Sequence, residues 1–388
     1  MRIGIDARCL IEGRRTGVEE YTLSLLSNLF EIDQENKYIL FINSWKNPAG
    51  DFSWVKKYPN VRIKRFNYPN KILNFLFWYF SWPKIDRMIG GADFFFFPNL
   101  NFGTVSKKCK VINTIHDLSF ERYPEYFSIK RRLWHSFVNP KKACQRADRI
   151  VTVSHSSRND VISKYRISPK KIKVIHSAVG EKFSMTDRND RNLIRVKEKY
   201  GLPYKFMLYL GTIEPRKNIA AIVRAYSQLQ RFAHETKNEE LKKYKLVIAG
   251  EKGWLSGKIF WEMRQARFCE NIYLISFVDD IDKEFVYNLA SLFVYPSFFE
   301  GFGFPPLEAM KCGVPVITSN NSSLPEVVGK AGILIDPDKP DEIYRAMKEV
   351  LISRELHSQL MTLGLRRAKE FSWKRTAESF LEMLREVV

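Results

Sequence analysis

Thirteen short apolar runs recur along the 388 residues, with stretches of helical periodicity between several of them. Strands that alternate with helices pair through crossover connections, so the pattern predicts a mostly parallel α/β sheet. Seven runs come first, at 2–6, 38–42, 61–66, 93–97, 110–115, 149–154 and 171–176. A charged stretch, EKFSMTDRNDRNLIRVKEK (181–199), reads as a linker running into a helix. Six more runs follow it, at 206–211, 245–250, 272–276, 292–296, 314–318 and 332–335. A chain this long exceeds one ordinary core. The expectation is two doubly wound, Rossmann-like α/β domains in series, 1–183 and 184–371, with a helical tail from about Asp341.

Local signals agree with this period. A helix is expected over 18–30, with Thr16 and Glu19 at capping-box spacing and Val18, Tyr21, Leu25, Leu26 and Leu29 as its apolar stripe.

Ligands of doubly wound sheets bind beyond the carboxyl ends of the strands, in the cleft between two such domains when there are two. A motif therefore matters when it directly follows an apolar run. YLGTIEPRKN (209–218) leaves a strand, turns at Pro215 and enters a helix near Asn218. Arg216 and Lys217 stand beside that helix start, where backbone N–H groups already favour an anion. An Arg fork with a Lys point charge suits a diphosphate; two solvated loop cations are the plainer alternative.

The second motif is VYPSFFEGFGFPPLEA (294–309). Gly301 and Gly303 let backbone amides face a ligand. Pro305 and Pro306 suit a helix entry, which would put Glu308 in the first turn. Singly, Glu300 and Glu308 read as a solvated loop acid and a dipole-favoured helix acid. Paired around a glycine turn, they suit the hydroxyls of a sugar or ribose. His116 also ends an apolar run and precedes Asp117, which sets it apart from the other five histidines.

Charge narrows the partners. Lys and Arg number 63 against 43 Asp and Glu, and 1–185 hold 32 basic against 16 acidic residues. An anionic partner is implied: nucleic acid, anionic lipid headgroups or a phosphate-bearing substrate. No nucleic-acid module motif accompanies the charge, so no nucleic-acid partner is expected. The G-x-G-x-x-G of a dinucleotide-dependent oxidoreductase follows neither candidate strand. Asp336-Pro337-Asp338 has D-x-D form but reads as turn and cap chemistry. Five scattered cysteines without a C-x-x-C pair argue against a disulfide framework or a zinc site. With an N-terminus that enters a strand without a leader, they predict a cytoplasmic protein.

E-G-F-G-x-P-x-L-E-A, with G-T-x-x-x-R-K-N upstream, resembles the retaining glycosyltransferases of family 4, the glycogen-synthase-like group with the GT-B fold. GIDAR with T-G, His116-Asp117, V-I-A-G and F-S-W extend the resemblance over nearly the whole chain. It implies an N-terminal acceptor-binding domain, a C-terminal nucleotide-sugar-binding domain, and a helix over 372–388 that crosses back to the first. By position, Glu308 would hold the ribose hydroxyls and Glu300 would lie at the donor sugar. The amides of Gly301, Phe302 and Gly303 would contact sugar and phosphate. Arg216 and Lys217 would neutralise the diphosphate leaving group, Gly17 would approach the phosphates, and His116 would reach the donor sugar or acceptor. The family needs no metal or other cofactor. Many relatives read T-G-x-G-R-Y where this chain has TGVEEY, so Glu19 and Glu20 are taken as helix-start residues and donor contacts there are confined to Gly17.

GIDAR, EPRKN and AGEKGW look most like mannosyltransferase-type members. That implies a GDP-mannose donor, with a UDP-sugar as runner-up, and a glycan or lipid-linked acceptor in cell-envelope polysaccharide assembly. An epimerase or phosphorylase on the same scaffold is the rival, separable by acceptor-dependent transfer. NKILNFLFWYFSWPK (70–84) is shorter than the roughly 20 residues that span a bilayer. Its aromatics and flanking lysines suit an interfacial helix at an anionic membrane, and Lys130, Arg131 and Arg132 beside Trp134 suit the same role. A buried aromatic helix with solvated basic neighbours is the alternative.

Overall fold

The computed structural model describes residues 1–13, 16–45 and 49–387. Arg14 and Arg15, in the polar loop after the first apolar run, lie outside the described residues. The chain divides into two compact units: Met1–Arg122, Ile129–Ser177 and Ser372–Val388 in the first, Tyr123–Ser128 and Ala178–Phe371 in the second.

Unit 1 holds seven parallel strands: β1 (Arg2–Asp6), β2 (Lys37–Asn43), β3 (Val61–Phe66), β4 (Phe94–Phe97), β5 (Lys110–Ile115), β6 (Arg149–Thr152) and β7 (Ile172–Val174). Their order is β3-β2-β1-β4-β5-β6-β7. The central strand β4 reads Phe-Phe-Phe-Phe, every residue buried, because helices cover both faces of a parallel sheet. Edge strand β3 instead exposes Arg62, Lys64 and Arg65, charges that discourage pairing with another sheet. Helix α1 (Gly17–Ile32) begins at the expected capping box. Glu19 N–H donates to Thr16 Oγ1 at 3.4 Å and Thr16 N–H to Glu19 Oε2 at 2.9 Å. Tyr21, Leu25, Leu26, Leu29 and Phe30 then bury one face. Two further helices of this unit are α2 (Asn70–Phe75) and α3 (Ile129–Val138).

Unit 2 holds six parallel strands: β8 (Phe206–Leu210), β9 (Lys245–Ala249), β10 (Ile272–Ile275), β11 (Leu292–Tyr295), β12 (Val316–Ser319) and β13 (Ile333–Ile335), ordered β10-β9-β8-β11-β12-β13. Counted from its own first strand this is 3-2-1-4-5-6, with the winding reversing between β8 and β11. Helices α4 (Arg191–Tyr200), α5 (Ile219–Glu235), α6 (Lys283–Leu289) and α7 (Phe304–Lys311) flank the sheet. The loops after β8 and β9 nearly touch: a Cβ on Gly250 (φ +151°) would sit 1.9 Å from the Gly211 carbonyl oxygen. Only glycine fits there.

Three sequence expectations need correction. The N-terminal part of the first unit runs to Ser177 rather than 183, because the next residues are tied into unit 2. Phe183 packs on Tyr287 at 6.0 Å, and Lys311 Nζ donates to the Gly180 carbonyl at 3.0 Å. The charged stretch that reads as a linker is structured for the same reason. Asp190 caps α4, and Arg195 and Lys199 pair with the buried Asp282 at 2.7 and 2.6 Å. Finally, Tyr123–Ser128, within the first expected domain, belongs to unit 2. Tyr123 packs on Phe299 (5.9 Å), Tyr126 on Phe298 (5.7 Å) and Phe127 on Trp254 (6.0 Å), and the Trp254 indole N–H donates to the Tyr126 carbonyl.

The last helix, α8 (Trp373–Arg385), is part of unit 1 and lies on α1. Phe380 packs on Phe96 at 4.7 Å, Trp373 on Tyr21 at 5.9 Å, and Thr376 Oγ1 donates to the His176 carbonyl at 2.8 Å. Phe380 is 1% exposed. Phe380→Ala is expected to cost about 3–5 kcal/mol, read by urea unfolding of the full chain. A loss under about 1 kcal/mol would show that α8 does not complete this core.

Candidate functional site

Because β8 and β11 are neighbours in the sheet, the loops that leave them run side by side. Backbone and side chain lace them together. Phe298 N–H donates to the Arg216 carbonyl at 2.9 Å and Ser297 Oγ to the same oxygen at 3.2 Å. Pro215–Lys217 form one tight turn ending at Asn218, whose left-handed backbone (φ +56°) redirects the chain into α5. The Asn218 side chain does not cap that helix; it donates to the Pro337 carbonyl at 2.7 Å.

This lacing brings Arg216, Lys217 and Glu300 together. Lys217 Nζ donates to Glu300 Oε1 and to Tyr295 Oη, both at 2.6 Å. Tyr295 Oη donates to the same Glu300 oxygen at 3.0 Å. Arg216 Nη1 lies 3.3 Å from Glu300 Oε2 and donates to the Phe299 carbonyl. Its Nε and Nη2 reach Glu214 Oε1 at 3.1 and 2.8 Å. The cations expected to wait for a diphosphate are thus held by carboxylates: Glu214 and Glu300 balance Arg216 and Lys217 in formal charge. All four sit largely out of water, where an uncompensated charge is costly. Burial alone would raise the Glu300 carboxyl, but Arg216 and Lys217 outweigh it and bring it down to about 2. Burial, with the Arg216 charge, lowers the Lys217 ammonium, and Glu300 and Glu214 offset part of that.

Glu308 lies one helix further on. Helix α7 starts at Phe304, ahead of both prolines, so Glu308 falls in the second turn rather than the expected first. Its Oε2 accepts from Tyr287 Oη of α6 at 2.8 Å. Gly303 (φ +112°) makes the turn that aims α7. Gly301 and Phe302 are buried, with the Phe302 ring against Phe304 (5.3 Å) and Phe371 (5.7 Å). Ser323 Oγ spans the turn, donating to the Glu300 carbonyl at 2.9 Å and the Phe302 carbonyl at 2.7 Å.

Two expected residues belong to unit 1. His116 follows β5, its Nε2 2.9 Å from the Pro98 carbonyl and its ring edge-on to Tyr21 at 4.7 Å. Desolvation lowers its pKa, so the imidazole is neutral at pH 7. Asp117 serves Ser119 instead, accepting from its N–H at 2.8 Å and its hydroxyl at 2.5 Å. Gly17 is the exposed first residue of α1. Glu19 is buried in the capping box, and Glu20 accepts from Ser24 Oγ at 3.2 Å. In the D-x-D sequence, Asp336 accepts from the Asp338 N–H at 3.0 Å and pairs with Lys339 at 3.1 Å, as turn chemistry requires.

Sequence reasoning missed Glu214, Tyr295 and Tyr287. Glu214 carried a signal, an acid two residues before Arg216 in a strand-end loop. The tyrosines carried none beyond apolar periodicity.

Family models match two segments: "Glycosyltransferase Family 4" over 15–182 and "Glycosyl transferases group 1" over 190–364. The chain is 35% identical to O-antigen chain mannosyltransferase B of Escherichia coli over 71% of its own length and 70% of that protein's. It is also 35% identical to the serotype-specific mannosyltransferase WbdA of Escherichia coli over 63% of its length, but this spans only 30% of WbdA. Among solved structures, sucrose-phosphate synthase from Thermosynechococcus elongatus superposes with TM-score 0.73 at 17% identity, covering 100% of this chain and 99% of that one. Anabaena HepE in complex with UDP-glucose gives 0.73 at 14% identity, covering 100% of both chains.

Glu300→Gln removes the charge that balances two buried cations. The variant is expected to melt below the wild type at neutral pH. A carboxyl whose folded pKa is depressed stabilises above its unfolded value and loses that contribution as pH falls. The gap should therefore narrow between pH 4.5 and about 2. Thermal melts across that range decide it; a gap independent of pH would place the stabilisation elsewhere.

Proposed function

This chain belongs to glycosyltransferase family 4 and has the GT-B fold; on that premise we propose that it is a retaining hexosyltransferase that moves mannose from GDP-mannose to a glycan carried on a lipid. The observation that carries the reading is the buried Lys217–Tyr295–Glu300 constellation beside Arg216, at the point where the strand order of unit 2 reverses. Similarity to the two Escherichia coli mannosyltransferases favours mannose as the sugar and cell-envelope polysaccharide as the product. The UDP-glucose held by the HepE neighbour keeps a UDP-sugar as the second reading of the donor. No helix among the described residues is long and apolar enough to cross a membrane. We place the protein at the cytoplasmic face of an anionic membrane, where a lipid-linked acceptor would be met.

Breaking the bond between a sugar and a diphosphate develops positive charge at the anomeric carbon and negative charge on the departing oxygen. Fixed donors in a dry site stabilise that oxygen without reorganising as it forms. Lys217 carries three N–H donors, two of them given to Tyr295 and Glu300, which locks its rotamer. Arg216 is likewise held by Glu214 and the Phe299 carbonyl. The donor diphosphate takes up part of the charge that the carboxylates balance in its absence. Charge-assisted hydrogen bonds are worth about 1.5–3 kcal/mol each. Two that strengthen in the transition state account for roughly two to four powers of ten in rate. Glu300 orients the donor sugar, Glu308 binds the ribose, and the backbone of Gly301–Gly303 contacts sugar and phosphate. Gly17 offers the exposed N-terminus of α1 to phosphate, and neutral His116 acts as a hydrogen-bonding group toward sugar or acceptor. Attack on the donor face that the leaving group vacates retains configuration without a covalent enzyme intermediate. The two fixed cations do the work a divalent ion would otherwise do.

Thermal-shift titration with GDP, UDP, ADP and dTDP, each with and without EDTA, tests the donor. GDP is expected to raise the melting temperature whether or not EDTA is present. A shift with UDP alone would transfer the reading to a UDP-sugar, and loss of the shift in EDTA would overturn metal independence. Lys217→Ala should lower turnover about 100-fold or more while GDP-mannose remains bound; full activity would refute the leaving-group role. Glu308→Ala should weaken GDP about tenfold or more yet leave 2′,3′-dideoxy-GDP unaffected; equal losses for both ligands would remove the ribose assignment.

A further inference from the structure

Among the described residues, 12 of the 24 exposed large hydrophobic side chains lie in two stretches of unit 1, residues 61–84 and 129–146. The stretches are far apart in sequence and meet in space, the Trp78 ring edge-on to Phe137 at 5.4 Å. In the first, the helix expected through 84 ends early. After α2 comes one wider turn, Leu76–Phe80, and Ser81 (φ +50°) stops it. Leu73 and Phe77 anchor this piece in the core, while Phe75, Trp78, Tyr79 and Phe80 stack on one another outside it. The buried aromatic helix is therefore not what forms. In the second stretch, α3 buries no residue. Ile129, Leu133 and Phe137, one turn apart along a single stripe, are 75%, 52% and 49% exposed. A helix of a water-soluble protein turns such a stripe toward a core. Trp134 against Phe102 and His135 against Phe120 seat α3 on the unit by its flank instead.

The charge on these stretches has one sign. Residues 61–84 contain Arg62, Lys64, Arg65, Lys71 and Lys84, residues 129–146 contain Lys130, Arg131, Arg132, Lys141, Lys142 and Arg146, and neither contains an Asp or Glu. Asp86, just beyond the first, is buried and accepts from the Ser106 N–H and hydroxyl. Burial and the nearby Arg146 charge depress the Lys84 ammonium, with Asp86 offsetting part of that, so Arg146 of the second stretch lies close to Lys84 of the first.

We infer that α2 with its following turn and α3 form one docking face that seats in the headgroup region of an anionic bilayer, Trp78 and Phe137 at its centre and the basic side chains around it. Trp, Tyr and aliphatic side chains ringed by Lys and Arg are the chemistry of that interface. Nucleic acid would take the cations but leave the Ile129–Leu133–Phe137 stripe in water. A second copy would meet the same positive rim on a chain of net charge +20. The inference deepens the membrane-proximal reading above by naming the surface and its partner, and it does not depend on the identity of the sugar.

The test is flotation of the full chain with phosphatidylcholine vesicles and with phosphatidylcholine–phosphatidylglycerol vesicles, at low and high salt. Binding is expected only to the anionic vesicles and should weaken with salt. A basic residue near such a surface contributes about 1 kcal/mol, or roughly fivefold. Lys130→Glu/Arg131→Glu/Arg132→Glu should therefore lower partitioning at least about 100-fold. Trp78→Ser/Phe137→Ser should lower it about tenfold or more and leave the remainder wholly salt-sensitive. These side chains are exposed, so both variants should keep the wild-type melting temperature. Absence of binding to anionic vesicles at low salt, wild-type binding by both variants, or vesicle-free self-association lost in Trp78→Ser would each overturn the docking face. Mannose transfer to a soluble acceptor without vesicle binding would overturn this inference and spare the enzymatic reading; vesicle binding without transfer would do the reverse.

Discussion

A charge removed from water must be cancelled where it lies, and the site of unit 2 is arranged around that demand. Glu300 is 8% exposed and Lys217 likewise 8%, so neither tolerates being alone. Each is satisfied by the other, and the surplus cation, Arg216, by Glu214. Cancellation at this distance requires two chain segments more than eighty residues apart to be neighbours. Adjacent parallel strands β8 and β11 supply that proximity. The glycine turn, the Phe298 bond to the Arg216 carbonyl and the Ser323 bridge hold the loops to the tolerance a buried pair needs.

What local chemistry decides was legible in the residues. The thirteen strands among the described residues lie where apolar runs predict them, mostly with ends shifted by one or two residues. The capping box at Thr16 and Glu19 forms as spelled. Arg216, Lys217 and Glu300 could be singled out because each follows a strand in company with glycine or proline. What topology decides was not legible. Nothing near Tyr295 reveals that its hydroxyl faces Glu300, and nothing near Tyr287 reveals Glu308. The charged stretch 181–199 reads as a linker because its counter-charges, Asp280 and Asp282, come about a hundred residues later. Tyr123–Ser128 looks like an ordinary part of the first domain until Phe298, Phe299 and Trp254 are seen beneath it.

The two units share a winding but not a charge. Residues 186–388 carry 31 basic and 27 acidic residues, near balance, while 1–185 hold twice as many bases as acids. In unit 2 the ionic groups are spent internally, as at Asp282 and Glu300. In unit 1 they accumulate beside exposed aromatics. The contrast separates a region that must keep its own charges ordered from one whose field extends into solvent.

Unit 1 is made in separate instalments, with most of unit 2 between them. Its sheet and α1 are made before most of unit 2, yet α8, which covers Phe96 and Tyr21, follows it. At common elongation rates the intervening residues 178–371 take roughly 10–40 s to synthesise. Throughout that interval the α8-facing apolar groups of the nascent unit have no cover. Synthesis of this chain thus imposes a waiting period on its most basic unit, during which the apolar groups that α8 will cover stay bare.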